Sequence, residues 1–106
     1  MRYLKEYYSD EKDIENLIDC LYEIFDEYKI PKRKHQTNKI NWFIDGINTI
    51  KIEKIPAQIL DIMFLDIERM SKTINKRING NLSISKVPDY KYGQYEHTWN
   101  IYLKII

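Results

Sequence analysis

Apolar residues recur three or four positions apart through residues 56–79, PAQILDIMFLDIERMSKTINKRIN. Ile59, Met63, Ile67, Met70, Ile74 and Ile78 therefore stack along one face of a predicted helix. Pro56 suits a first helical position and Gly80 a left-handed residue just past the end. The first half adds Leu60, Ile62, Phe64 and Leu65, so it is apolar nearly all round and predicts the deeply buried end. The second half narrows to a stripe, with Glu68, Arg69, Lys72 and Lys76 towards water. A second helix is predicted over 10–29, where Ile14, Leu17, Ile18, Leu21, Phe25 and Tyr28 form one buried stripe. Ser9 and Asp10 offer its N-cap, and Asp10, Glu11 and Asp13 sit where the positive helix end favours acids. Residues 2–8 fit neither a helical nor a strand template.

The pattern changes to period two elsewhere. Residues 39–53 read as a hairpin, with Ile50 and Ile52 alternating with Lys51 and Glu53 around an Asp45-Gly46 tip that would pair Ile44 with Ile47. The competing helix through Ile40, Phe43, Ile44 and Ile47 would give three helices and a C-terminal β-wing, a winged-helix pattern. Residues 82–87 alternate, Pro88-Asp89 interrupts, and 98–106 alternate again with Trp99, Ile101, Leu103 and Ile105 on one side. That predicts two antiparallel strands joined by a loop of about nine residues. The expected architecture is α+β, ordered α-ββ-α-ββ, with two helices on one face of a small antiparallel sheet. Leu21, Phe25, Ile59, Met63, Ile67, Trp99 and Ile101 should share its core. The closing IYLKII reads as an apolar edge, which predicts a symmetric dimer through residues 99–105.

Composition narrows the class without naming an activity. A chain of 106 residues and 12.9 kDa suits a single domain spanning 1–106. It has no apolar run near the roughly 18 residues of a membrane span, and MRYLKEYY lacks the apolar core of a signal peptide. The single Cys20 excludes an internal disulfide, fits a reducing cytoplasmic setting, and reads as an apolar space-filler. The net charge of +1 hides an asymmetry. Residues 1–28 carry three basic and nine acidic side chains, whereas 29–54 carry seven basic and two acidic. Abundant Ile, Lys, Asn and Tyr with a single Ala, Ala57, reflect AT-rich coding usage of a kind common in phages and plasmids.

Nothing in the chain spells out a reaction centre. His35 and His97 lack partners at metal-ligand spacing, and Gly46, Gly80 and Gly93 are isolated, so no phosphate loop is present. The expectation is a non-enzyme with no cofactor and no metal site, although a site built in space from Glu96, His97 and a tyrosine stays open.

Three surfaces carry binding chemistry. Glu11, Glu15, Asp19, Glu23 and Glu27 recur every four residues, joined by Asp26, on the side opposite the apolar stripe. Four successive like-charge pairs cost about 1–2 kcal/mol at low salt, so the ladder is either neutralised by Lys29, Lys32, Arg33 and Lys34 or awaits a basic partner. Lys32, Arg33 and Lys34, with Arg69, Lys72, Lys76 and Arg77, form the candidate nucleic-acid set. Tyr90, Tyr92 and Tyr95 crowd one loop, where tyrosine supplies contact area at low entropic cost. The leading expectation is a protein partner with a basic surface, met by Glu15, Asp19, Glu23, Asp26, Glu27 and the three tyrosines. Size, composition and the ladder lead to the expectation of a small phage or mobile-element inhibitor acting in the manner of anti-CRISPR proteins; no motif ties the chain to a family. A winged-helix regulator binding nucleic acid is the alternative; no membrane partner is expected.

Overall fold

The computed structural model describes residues 2–30, 40–91 and 94–106, with side chains described over 12–30, 40–89 and 98–106. Six elements follow in order: α1 (Arg2–Glu27), β1 (Asn41–Ile44), β2 (Thr49–Pro56), α2 (Ala57–Arg77), β3 (Leu82–Lys91) and β4 (Gln94–Ile105). This is the α+β arrangement α-ββ-α-ββ. The strands form one antiparallel sheet in the order β1-β2-β4-β3.

The core lies between the helices and one sheet face. Trp42, Ile52 and Ile101 form one cross-strand row, and Ile50 and Leu103 stand opposite each other in the next. All five are buried, with Leu17, Leu21 and Phe25 of α1 and Leu60, Met63, Ile67 and Ile74 of α2. Ile59 and Trp99 are partly buried against the same cluster, so the expected shared core forms. Phe25 stacks on Trp42 with ring centroids 5.0 Å apart, tying α1 to the shortest strand. A register shift between Ile52 and Ile55 makes a bulge around Lys54, whose φ is 61°. The extra residue keeps Ile55 on the buried face although it is three positions from Ile52.

Several expectations are corrected. The first helix begins near residue 2, so Ser9 and Asp10 lie inside it and do not cap it. The hairpin exists, but Ile44 pairs with Ile50 rather than Ile47, and the Asp45 N–H donates to the Thr49 carbonyl at 2.8 Å. Its tip is longer than two residues, with Gly46 at φ 79° and Ile47 projecting into water, 80% exposed. Residues 40–47 are therefore not helical.

The first half of α2 buries Leu60 and Met63, but it is not covered all round as predicted. Ile62 and Leu65 are exposed because, among the described residues, no third layer covers the side of α2 away from the sheet. Gly80 is not left-handed; a Cβ there would stand 2.6 Å from Ile105 Cγ2 and 2.9 Å from the Ile106 carbonyl oxygen. Closeness to the last strand, not helix termination, selects glycine there.

The loop of nine residues is replaced by strand. β3 runs on to Lys91 and β4 starts at Gln94, with a register shift between Pro88 and Tyr90 accommodating the proline. Finally, β4 is no edge. It pairs with β2 on one side and β3 on the other, so residues 99–105 have no free backbone with which to build a strand-to-strand dimer.

Candidate functional site

The helices run antiparallel, held together by side chains far apart in sequence. Asp13, buried in the middle of α1, accepts hydrogen bonds from the backbone N–H groups of Asn79 and Gly80 at 2.8 and 2.9 Å. It caps the turn after α2 and does not serve its own helix end, contrary to its expected place there. Asn16 Nδ2 donates to the Arg77 carbonyl at 2.9 Å, and Arg77 Nη1 lies 3.3 Å from Cys20 Sγ. At the other end Tyr28 donates its hydroxyl to Asp66 Oδ2 at 2.7 Å. Partial burial, the Asp66 carboxylate and the nearby Glu27 charge hold the Tyr28 phenol well above its ordinary value.

With that face of α1 taken by packing, the opposite face meets water. Glu15, Asp19, Glu23, Asp26 and Glu27 are all exposed, as the four-residue spacing requires. Among the described residues, no basic side chain pairs with Glu15, Asp19, Glu23 or Glu27. Lys29, one of the expected neutralising cations, is exposed with φ 56°.

The basic candidates divide. Arg69, Lys72 and Lys76 fall on one exposed stripe of α2, continuing the line of Ile62 and Leu65. Arg77 turns towards α1 and Cys20, so it does not belong to that stripe. Lys32, Arg33 and Lys34 lie outside the described residues, as do Tyr92 and the side chains of Tyr90 and Tyr95. The backbone places Tyr90 and Tyr95 opposite each other near the end of the β3–β4 arm.

One grouping escaped the sequence reading. On the sheet face away from the core, Lys51 extends its ammonium 5.3 Å from the Phe43 ring centroid and 5.5 Å from that of Tyr102. The three residues belong to neighbouring strands, and only strand register could have revealed the row. Among the described residues, no group of three or more His, Cys, Asp or Glu side chains could hold a metal ion, and no helix is long and apolar enough to cross a membrane. No protein-family model, curated protein or solved structure matches this chain.

Proposed function

We propose that this is a non-catalytic protein-binding domain that docks a basic protein surface through the outer face of α1. One observation carries the reading: Glu15, Asp19, Glu23 and Glu27 stand exposed in a line along α1, unpaired with any described cation. Each like-charge pair costs about 0.2–0.5 kcal/mol in the free protein, and a basic partner removes that repulsion as it binds. Complementary charge also speeds encounter and excludes acidic competitors. The tyrosines of the β3–β4 arm are the second contact, and the mode of action is that of a small phage or mobile-element inhibitor working in the cytoplasm.

The test is affinity capture with the folded Asp19→Lys/Glu23→Lys variant. Wild-type protein should retain its partner at low salt and release it as ionic strength rises, because exposed charges are screened beyond about 8–10 Å at physiological salt. The variant should retain nothing. Tyr92→Ala/Tyr95→Ala should weaken capture with little change in salt dependence. Capture by the double-Lys variant at wild-type affinity refutes the reading. Nucleic-acid binding is the second reading, favoured by the shared exposed stripe of Arg69, Lys72 and Lys76. A mobility shift abolished by Arg69→Glu/Lys72→Glu would support it.

A further inference from the structure

The α2 stripe is an unpartnered helix face with its own composition: Ile62 and Leu65 exposed, then Arg69, Lys72 and Lys76. Its charge is opposite to that of the α1 face beside it in the same layer. The contacts between the helices set their relative heights. Asp13 lies level with residues 79 and 80, Asn16 with Arg77, and Tyr28 with Asp66. Between those anchors, one residue along α1 corresponds to about one residue back along α2, since both helices rise about 1.5 Å per residue. Lys76 then stands at a height between Glu15 and Asp19, and Lys72 between Asp19 and Glu23. Arg69 stands next to the level of Glu23. Each cation is within roughly 3 Å, along the axis, of an acid on the neighbouring helix.

We propose that the α2 stripe docks the acidic α1 face of a second copy of this chain, forming a two-fold dimer through the helical layers. A two-fold axis parallel to the helices exchanges left and right and preserves height. It lays the α1 of one protomer over the α2 of its partner, and the reverse, with acids and cations interleaved in both contacts. Such an interface is isologous and closes on itself. Asp61 and Glu68 lie to the side of the stripe, and Asp61 is engaged by Lys86 at 3.3 Å. The pairs joining the two protomers are between exposed charges, so association should be weak and salt-sensitive.

This inference rests on reading the α1 ladder as a docking surface, and it names one basic surface that fits it. Self-association and capture of another basic protein would then compete for the same carboxylates.

Sedimentation velocity on the full chain at low salt, up to high micromolar concentration, tests the proposal, with circular dichroism to verify folding. Wild type should dimerise, and added salt should weaken the dimer at least tenfold. Asp19→Lys/Glu23→Lys and Arg69→Glu/Lys72→Glu should each be monomeric alone, because most facing pairs in both contacts then carry like charges. Mixed together, the two variants should form a one-to-one dimer, since both contacts are again complementary. The quadruple variant should also dimerise. A monomeric wild type, dimers of either double variant at wild-type affinity, or no association in the mixture would overturn the proposal. So would a DNA or RNA mobility shift abolished by Arg69→Glu/Lys72→Glu in a protein that stays monomeric. Arg69→Glu/Lys72→Glu keeps the acidic face, so it should still capture a basic partner; self-association can fail while the docking reading stands.

Discussion

Removing the Asp13 carboxylate tests how the two helices and the last strand are joined. Asp13 accepts from two successive backbone N–H groups, at 2.8 Å from Asn79 and 2.9 Å from Gly80. Hydrogen bonds to a charged group are worth about 1.5–3 kcal/mol each, and Asn79 is exposed enough for water to replace part of its share. Asp13→Ala should therefore cost about 2–4 kcal/mol. Asp13→Asn should cost somewhat less, because one amide oxygen still accepts while the –NH2 group faces a donor. Gly80→Ala attacks the same joint from the other side. Its Cβ meets Ile105 Cγ2 and the Ile106 carbonyl, so the turn must shift, at about 1–3 kcal/mol. That shift also displaces the Gly80 N–H from Asp13. The two losses should not add: the double variant should fall short of their sum by about 0.5–2 kcal/mol. Urea unfolding with an unchanged m-value measures all four corners of the cycle. An Asp13→Ala loss below about 0.5 kcal/mol, or additivity within about 0.3 kcal/mol, would refute this account of the joint.

Other perturbations have equally definite outcomes. Phe25→Ala removes a fully buried ring stacked on Trp42 and should cost about 3–5 kcal/mol, with a red shift in tryptophan fluorescence; a loss below about 0.5 kcal/mol would contradict the packing. Tyr28→Phe should cost about 0.5–1.5 kcal/mol at neutral pH. Because the folded protein holds the Tyr28 proton more tightly than the unfolded chain, that contribution is complete below about pH 10 and fades as pH rises further. The gap between wild type and Tyr28→Phe should thus shrink in alkali, and a constant gap from neutrality to about pH 11 would disprove the linkage. At the β1–β2 tip, Gly46→Ala has open space but strains a left-handed backbone, so a loss of about 1 kcal/mol in thermal or urea unfolding is expected, and a gain in stability would disprove it.

The parts of the fold visible in the sequence are those written in local periodicity. Ile14 to Phe25 and Leu60 to Ile78 announced their buried faces because spacing alone decides which side of a helix a residue occupies. The same geometry put Glu15, Asp19 and Glu23 in water, so the acidic face of the candidate site was readable. Features made by distant partners were hidden. Asp13 looked like a helix-start acid, and only the antiparallel return of α2 brings Asn79 and Gly80 to it. Arg77 carries the same charge as the α2 stripe but not its direction, because α1 places Cys20 beside it. Pro88 and the polar run after it resembled a loop because propensity does not register the support of a long paired neighbour. Ile62 and Leu65 looked buried because hydrophobicity says nothing about how many layers a domain has.

The central place of β4 bears on how the chain is made. β2 waits through α2 and β3 before residues 98–104 reach it, and β3 has no sheet to join until the same strand arrives. Until those residues leave the ribosome, Ile50 and Ile52 have a sheet neighbour only in short β1, and the surface that later holds Ile101 and Leu103 stands open. Acquisition of the fold is therefore concentrated in the final steps of synthesis of this region. Long-range pairing of this kind slows folding.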